Sequence, residues 1–359
     1  MNIFSRYLIR NVFIGFLAAA GLLIPLFTTF NFINELDDVS ANGYRWTQAL
    51  VVVLMTLPRC LIDLGPFIAL LGGIVGLDQL AKSQELTAMR TAGFSIFSIS
   101  LVILYSGLML TVSLGALDEW VASPLQQRAL QLKNTAVAQA NDTVSSGNAL
   151  WARRNNEFVT VNTLDKHHQP LGIEIFYYKP DLSLESYIYA KKATIVDGGM
   201  WVLHGVNQKK WANGKETVIA QENLQWQSIF NNISLEELTM PGYSFSIKQL
   251  RHYIRYLRNT DQPNIEFELA LWQKLGRPIL ILAMILLSIP FTFSIPRAPG
   301  LGSRLAVGVI VGLLTYISYQ IIVSLGLLFS LNVQLTTLTP PMLLLIIALI
   351  LVYRFNKRH

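Results

Sequence analysis

The sequence predicts an α-helical polytopic membrane protein with six transmembrane helices and an inserted, external all-β domain. Hydrophobic residues make up 52% of the 359 positions and charged residues only 14%, whereas soluble domains contain about 25% charged residues. The charges are also unevenly distributed, because residues 118 to 268 hold 15 of the 28 Lys and Arg residues and 16 of the 22 Asp and Glu residues. A charged, water-soluble segment is therefore inserted between two apolar parts of the chain.

Six apolar runs are long enough to cross a hydrocarbon core of about 30 Å. They are Val12 to Ile33, Ala49 to Leu77, Phe97 to Leu117, Pro278 to Pro296, Leu305 to Leu328 and Leu338 to Tyr353. This pattern divides the chain into residues 1–117 with helices one to three, the external domain 118–268, and residues 269–359 with helices four to six. Pro58 and Pro66 lie in the second run, so we expect that helix to be bent or locally opened.

The basic residues of the short loops fall on one side of the predicted membrane. They are Arg6, Arg10, Lys82, Arg90, Arg297, Arg304, Arg354, Lys357 and Arg358. Short cytoplasmic loops are enriched in Lys and Arg, so both termini are expected in the cytoplasm and residues 118–268 outside it. The excess positive charge lies at the membrane edges, which argues against nucleic-acid binding.

The external domain is expected to consist of short strands. Seven short apolar or alternating runs, separated by Gly- and Asn-containing turns, are typical of a sandwich, jelly roll or open barrel. These runs are Glu157 to Val161, Gly172 to Tyr178, Ser186 to Ala190, Ala193 to Val196, Met200 to Leu203, Thr217 to Ala220 and Asn223 to Trp226. Leu250, Tyr253, Ile254 and Leu257 then follow at helical spacing, which predicts an amphipathic helix with a basic outer face.

Several charged residues lie in or beside the apolar runs. Arg59 and Asp63 are four residues apart in the second run, so they share a helix face, as an ion pair or as a contact for an ion or lipid headgroup. Lys274 and Arg277 stand at the start of the fourth run, where they are either snorkelling anchors or ligands for phosphate. Lys133, in a helical run after Trp120, belongs to the same class.

The loop between the second and third runs is itself helix-forming. Residues 82–93 are too polar to insert and end at Gly93, which suits a helix C-terminus. A short cytoplasmic helix with a Glu and an exposed Leu/Met face suits a docking element for a partner, and a helix on the membrane surface is the other interpretation. The chain contains no G-x-x-x-x-G-K-[ST] motif, so ATP and Mg would bind to another chain, and we expect no cofactor or metal here.

Several stretches, in this order, resemble the lipopolysaccharide export permease family. The stretches are Ser5-Arg6-Tyr7-Leu8, Ser83-Gln84-Glu85-Leu86 to Gly93, Glu119-Trp120-Val121-Ala122, Gly147 to Trp151, Leu250 to Leu257, and Trp272-Gln273-Lys274 with Pro278. The resemblance covers nearly the whole chain. Glu119 to Ala122 and Leu150-Trp151 are more similar to the G-type than to the F-type subunit of that family.

The resemblance implies a permease subunit of an ABC transporter in the bacterial inner membrane, with a periplasmic β-jellyroll-like domain. It implies a heterodimer with an F-type permease, a cytoplasmic ATPase dimer, a single-span periplasmic bridge subunit, and lipopolysaccharide as the substrate. Glu85 matches the family's coupling-helix acid, and Leu86, Met89 and Arg90 are expected to share the ATPase contact. The residues expected at the substrate cavity or its mouth are Lys274, Arg277, Lys133, Asn31, Thr315 and Tyr319.

The chain departs from the family at one loop, and other functions remain open from the residues alone. Asp37 and Asp38 stand where a relative has a Lys pair, and carboxylates repel phosphates, so no substrate contact is assigned to that loop. The alternatives are a permease of another lipid or lipoprotein exporter, and a non-transporting scaffold that presents its β domain. A membrane-embedded hydrolase is disfavoured because no run contains a nucleophile and base pair.

Overall fold

The computed structural model describes residues 3–39, 43–93, 95–140, 150–165, 169–179, 183–196, 199–212, 215–230, 240–259, 264–293 and 301–358. The chain forms two compact units. The membrane unit contains Met1–Val137, Tyr243–Leu250 and Ile265–His359, and the β unit contains Ala138–Gly242 and Arg251–Asn264.

Most of the membrane unit consists of long apolar helices. They are α1 (Ile3–Leu36), α2 (Trp46–Asp63), α3 (Gly65–Lys82), the short α4 (Glu85–Thr91), α5 (Ile96–Leu117), α6 (Ser123–Ala140), α8 (Ile265–Phe293), α9 (Leu301–Leu328) and α10 (Val333–Arg358). Helix α7 (Ile247–Asn259) begins in this unit and ends in the β unit. Within the part of the chain that the structure describes, six helices are long and apolar enough to cross a membrane, which confirms the predicted number of spans. The end of the fourth predicted span, residues 294–296, lies outside the described residues.

The second predicted span is two helices rather than one. Helix α2 ends at Asp63 and α3 begins at Gly65, and Leu64 between them has φ −80° and ψ −6°. Pro66 in the first turn of α3 has no backbone N–H, so the hydrogen-bond ladder is interrupted at this point. The expected bend is therefore a break, and it leaves Asp63 at the end of a helix.

Glycines allow α3 to pack closely against its neighbours. A Cβ atom at Gly72 would lie 2.7 Å from the Cα of Phe16 in α1, and one at Gly76 would lie 2.8 Å from the carbonyl oxygen of Asn11. Gly308 and Gly312 of α9 face α3 in a similar way, against Ile74 and Phe67 respectively. Close backbone approach through small residues stabilises helix pairs in lipid, where no hydrophobic effect drives their association.

Helices α5 and α6 are joined by a π-helical segment, Asp118–Ala122. The backbone N–H of Ser123 donates to the carbonyl oxygen of Asp118, five residues earlier. The inserted residue shifts the register of the helix, and Asp118 and Ala122 are buried. The carboxylate of Glu119 accepts hydrogen bonds from the backbone N–H groups of Ile247 and Lys248, at 2.9 and 3.3 Å, so it caps the N-terminus of α7.

The β unit contains one antiparallel sheet with its strands in chain order. The strands are β1 (Leu150–Arg154), β2 (Glu157–Leu164), β3 (Pro170–Tyr178), β4 (Leu184–Val196), β5 (Met200–Ala212) and β6 (Lys215–Gln227). The inserted all-β domain is therefore confirmed, and the described part of this jellyroll-like domain is an open six-stranded meander.

The strand boundaries differ from the predicted ones in several places, and β5 continues to Ala212, well beyond its predicted end at Leu203. Two pairs of short predicted strands are continuous as β4 and β6, and β1 was not predicted. In β4 the exposed Lys191 and Lys192 broke the apolar pattern, although the ladder with β5 continues across them. Gly205 of β5, at φ +65°, lies against the Lys191 side chain there, and the register of the two strands is the same on both sides, so the irregularity is a local distortion rather than a strand end.

The apolar face of the sheet includes a buried polar contact. Trp201 stacks on Phe230 with ring centroids 5.4 Å apart. The indole Nε1 of Trp226 donates to the Glu157 carboxylate at 2.9 Å and to the Tyr177 hydroxyl at 3.1 Å. Burial and the adjacent Glu157 raise the pKa of Tyr177 above its ordinary value, so the phenol remains protonated at neutral pH.

Helix α7 is amphipathic as predicted. Leu250, Tyr253, Ile254 and Leu257 are buried. Lys248, Arg251, Arg255 and Arg258 are exposed on the other side. Its basic face therefore meets solvent or lipid headgroups and not the protein core.

Replacing Gly72 with Ala should destabilise the membrane unit by about 1 to 3 kcal/mol, the usual cost of overpacking. The added methyl group would meet the backbone of α1, which cannot move aside as a side chain does. Thermal unfolding of the detergent-solubilised chain measures the effect. Gly21→Ala is the matched control because a Cβ atom there meets nothing within 4 Å. Equal melting temperatures for the two variants would contradict the predicted α1–α3 contact.

Candidate functional site

A polar cavity lies within the membrane unit. Its volume is about 580 Å³, and side chains from α1, α2, α3, α6, α8, α9 and α10 line it, together with Tyr243. Its polar and charged lining residues are Asn31, Asn34, Glu35, Thr56, Arg59, Asp63, Gln126, Tyr243, Gln273, Arg277, Tyr316, Tyr319 and Gln320. A cavity of this size accommodates a headgroup or a small molecule. Polar side chains are rare in apolar helices unless they line a functional site.

Asp118 lies at the centre of a buried ion cluster beside this cavity. The ammonium of Lys274 donates to both carboxylate oxygens of Asp118, at 2.9 and 2.8 Å, and Nη1 of Arg59 donates to one of them at 3.2 Å. The side chains of Lys274 and Asp118 are only 2% and 9% exposed. The hydroxyl of Ser123 lies 3.3 Å from the Lys274 ammonium. The π-helical segment of Asp118 thus contributes a fixed counter-ion for two cations.

Asp63 is the second carboxylate of the cluster, and its surroundings are different. One of its oxygens lies 3.4 Å from Nε of Arg59 and 2.8 Å from Nη2 of Arg277. The Asp63 side chain is 49% exposed, whereas those of Arg59 and Arg277 are 12% and 19% exposed. The Arg59–Asp63 pair at four-residue spacing is therefore present, and Arg277 completes a clamp around the carboxylate.

The cluster favours anions. Arg59, Lys274 and Arg277 carry three positive charges against the two negative charges of Asp63 and Asp118. Nη1 of Arg277 is buried and makes no hydrogen bond to any described residue. A guanidinium donor that lacks an acceptor costs free energy, and an anion bound in the cavity would provide that acceptor. Phosphate oxygens suit an arginine fork particularly well.

Lys133 is neutralised by acidic residues from the end of α1. Its ammonium lies 2.8 Å from Glu35 and 2.6 Å from Asp38. The Tyr44 hydroxyl also donates to Glu35, at 2.8 Å, and burial together with Glu35 raises the pKa of Tyr44. Of the two loop carboxylates to which no substrate contact was assigned, Asp37 and Asp38, the second therefore pairs with the protein's own lysine.

Helix α4 is anchored on the bundle through its apolar side. Leu86 is 5% exposed and belongs to the core of the membrane unit, and Met89 packs against the same core. The prediction that Leu86 and Met89 form an exposed face is therefore wrong, because α4 packs with these residues against the core of the membrane unit. Glu85 is half-buried in the first turn, and the side chain of Arg90 lies outside the described residues. The coupling role of these four residues stays a prediction.

An ion pair connects α3 with α9 near this helix. Nη1 of Arg304 donates to Asp78 at 2.6 Å, and the Lys82 ammonium lies 2.9 Å from the other Asp78 oxygen. The Asp78 side chain is only 3% exposed. The helix that precedes α4 is thus tied to the first turn of α9.

The structure places some predicted site residues on the cavity and others away from it. Asn31, Tyr319 and Arg277 line it, with Arg59 and Asp63. The ammonium of Lys274 is paired with Asp118. The hydroxyl of Thr315 donates to the Val311 carbonyl of its own helix at 2.8 Å. Neither is among the lining residues of the described cavity. Substrate roles for all of these residues stay predictions.

The sequence reasoning missed Asp118, Glu35, Gln126 and Tyr243. Asp118 carried a signal, because a carboxylate directly at the end of an apolar run requires a partner. The sequence contains no such signal for Gln126 and Tyr243, since each is distant along the chain from the other lining residues. Burial raises the pKa of Tyr243, so it presents a neutral hydroxyl to the cavity.

Known proteins are similar to this chain over nearly its whole length. Residues 6–354 match the family described as "Lipopolysaccharide export system permease LptF/LptG". The chain belongs to this family. The lipopolysaccharide export system permease protein LptG of Haemophilus influenzae is 27% identical over 349 residues, covering 96% of this chain and 97% of that protein. LptG of Escherichia coli K12 is 25% identical over 355 residues, covering 98% of each chain.

Membership of the LptF/LptG family accounts for the arrangement of the chain. The match spans both sets of helices and the inserted sheet, so the chain is a multi-pass membrane permease subunit and not an enzyme. Both of these relatives are LptG proteins, which agrees with the G-type resemblance of the sequence. The cavity is therefore a candidate for the place where an LptF/LptG permease holds its substrate.

Asp118→Asn should destabilise the membrane unit by about 3 to 5 kcal/mol, because it leaves the buried Lys274 ammonium without a counter-ion. Lys274→Met should cost less, since Asp118 keeps Arg59 as a partner. The double variant should be more stable than Asp118→Asn alone. Chemical unfolding of the solubilised chain measures all three, with the exposed Asp37→Asn as a control. If Asp118→Asn melts like the control, the cluster does not stabilise the fold.

Proposed function

We propose that this chain is the G-type membrane subunit of an ATP-driven transporter that extracts lipopolysaccharide from the bacterial inner membrane. In this proposal it pairs with an F-type permease, and a cytoplasmic ATPase dimer binds ATP and Mg. A single-span bridge subunit then accepts the lipid in the periplasm. The observation that carries the proposal is a cavity, in a permease of this family, that lies beside an ion cluster with one excess positive charge. Arg277 of that cluster lines the cavity, and its buried Nη1 donor, which has no acceptor among the described residues, suits a phosphate.

The cavity is suited to the anionic part of a lipid. Arg59 and Arg277 reach it from two different helices, so one phosphate would receive donors from both. The affinity for the lipid as a whole would come from its acyl chains, since each buried CH₂ contributes about 0.8 kcal/mol. The charged cluster would then fix the position of the headgroup rather than supply most of the binding free energy.

Two peripheral helices offer the surface for the paired permease. The most apolar stretch of α8 is 61% buried within the unit, and those of α2 and α10 are 22% buried. The two helices that the proposal assigns to the paired permease, α9 and α1, are 17% and 28% buried over the same kind of stretch. Large apolar side chains stand exposed along both, including Leu22, Leu26 and Phe30 of α1 and Ile310 and Leu314 of α9. These faces meet lipid or a second set of helices. A paired permease facing α1 and α9 would enlarge the cavity of this chain into a shared one.

The proposed orientation follows the positive-inside rule. Arg6, Arg10, Lys82 and Arg354 lie near helix ends that the proposal assigns to the cytoplasm. Helix α4 follows α3 at that end, and Arg304 of α9 is bonded to Asp78 of α3. Movement of α4 by a nucleotide-driven partner would therefore reach α9, whose residues Tyr316, Tyr319 and Gln320 line the cavity. Narrowing of the cavity would then drive the lipid out of it.

Arg277→Gln should lower the amount of lipopolysaccharide that co-purifies with the solubilised complex roughly tenfold, the effect of losing one or two charge-assisted hydrogen bonds. Mass spectrometry of the extracted lipids gives the amount, and the same preparation shows whether a second permease and an ATPase are present. Arg45→Gln is the matched control, because Arg45 is exposed and outside the cavity lining. Recovery of bulk phospholipid alone from the wild type would overturn the proposed function.

Glu85→Ala should abolish ATP-dependent release of lipopolysaccharide from proteoliposomes while the permease pair remains assembled. Glu85 stands in the first turn of α4, and Leu86 and Met89 hold that helix on the bundle. Glu85→Gln keeps the shape and tests the charge alone. Thr87→Ala, on the exposed side of the same helix, controls for general perturbation of α4. Normal release by Glu85→Ala would remove this residue from the coupling interface.

A further inference from the structure

The two carboxylates of the ion cluster differ in how firmly they are held. Asp118 is 9% exposed and accepts hydrogen bonds from Lys274 and Arg59. Asp63 is 49% exposed, lines the cavity, and has one short contact, the 2.8 Å pair with Arg277. Its distance to Arg59 is 3.4 Å. A half-exposed carboxylate gives up its partners more easily, because water can replace them.

The donors that contact Asp63 are the ones that an incoming anion would use. Arg59 and Arg277 both line the cavity, and Arg277 already directs Nη2 at Asp63 while its Nη1 has no acceptor among the described residues. A phosphate carries three or more acceptor oxygens and can engage the whole fork of an arginine. A single carboxylate oxygen of Asp63 leaves that fork incompletely used. Without a ligand, Asp63 therefore contacts the arginine side chains of the site, but the Nη1 donor of Arg277 still has no acceptor among the described residues.

We propose that Asp63 is an internal competitor for the anion site of the cavity, which weakens the binding of the anionic headgroup so that it can be released. The inference rests on the proposed function and names a residue that sets how strongly the cavity holds the headgroup. A site that passes its ligand onward must bind it strongly enough to capture it and weakly enough to let it leave. Asp63 meets this requirement in two ways. It must be displaced from Arg277 before an anion can bind, and its charge then remains nearby to repel that anion.

If Asp63 competes with the anion, removing its charge should raise the affinity of the cavity for an anionic probe. Asp63→Asn keeps the shape of the side chain but removes its negative charge, so the cluster is left with a larger positive excess. The variant should bind dodecyl phosphate about tenfold more tightly than the wild type. Calorimetric titration of the full chain, purified with the partners it retains in an uncharged detergent, measures this affinity. The same titration of Arg277→Gln measures the background, which is the heat from dodecyl phosphate that enters the detergent micelle instead of the cavity.

Three further variants separate competition from a structural role. Asp63→Glu keeps the charge and should bind the probe like the wild type. Asp37→Asn removes a carboxylate from the loop after α1, outside the cavity lining, and should change the affinity by less than about twofold. The double variant Asp63→Asn/Arg277→Gln should lose the gain. An affinity of Asp63→Asn at or below that of the wild type, or an equal gain in Asp37→Asn, would overturn the inference.

Cys60 provides a second readout that needs no ligand. It is the only cysteine of the sequence and lines the same cavity. Its rate of modification by an anionic sulfonatoethyl methanethiosulfonate is compared with the rate for the cationic trimethylammonium reagent. Asp63→Asn should raise the anionic-to-cationic ratio several-fold, because the potential at the thiol becomes more positive. Any change in thiol reactivity is common to both reagents and cancels, so an unchanged ratio would also overturn the inference.

The release step distinguishes this inference from the proposed function. In the transport assay Asp63→Asn should retain lipopolysaccharide and release it more slowly than the wild type on addition of ATP. If the wild type releases none, the proposed function fails, and the dodecyl phosphate and Cys60 measurements still decide the role of Asp63. If Asp63→Asn releases lipopolysaccharide as fast as the wild type, the proposed function stands and the internal competitor does not.

Discussion

The membrane unit depends on the pairing of charges inside an apolar helix bundle. The buried Asp118 carboxylate is tolerated there only because Lys274 and Arg59 pair with it, and each of those cations is tolerated for the same reason. The three residues come from the π-helical segment, from α8 and from α2. Their pairing therefore requires these elements to meet at one point. The cavity lies beside that point because an ion cluster cannot be covered by apolar side chains alone.

Two irregularities of the backbone place the charges of the cluster. The break at Leu64 ends α2 directly after Asp63, so this carboxylate lies at a helix end instead of within a continuous span. The π-helical segment shifts the register between α5 and α6 so that Asp118 is buried. A regular helix at either place would present a different side chain to the cluster. The site thus depends on local departures from ideal helix geometry.

The sequence alone was sufficient for features that are local and periodic. Apolar run lengths predicted the spans, and the four-residue spacing of Arg59 and Asp63 predicted their shared face. It was insufficient where the outcome depends on partners distant in the chain. Asp118 and Lys274 are 156 residues apart, so the sequence predicted a snorkelling anchor or a phosphate ligand at Lys274, although this lysine is a buried counter-ion. The sequence likewise predicted that Leu86 is an exposed docking residue, because the neighbouring residues give no sign that α4 packs against the core.

The distribution of charge also bears on how such a permease would use its cations. Lys133 is matched by Glu35 and Asp38, and Lys274 by Asp118. Of the described residues that line the cavity, Arg59 and Arg277 share a carboxylate that is half exposed, Asp63. The attraction for an anion is thus centred on this position, because the other charged residue of the described lining, Glu35, is paired with Lys133. A lipid with several charges would then be oriented by a single group, while its apolar part supplies the affinity, and a small change at Asp63 would be enough to alter its release.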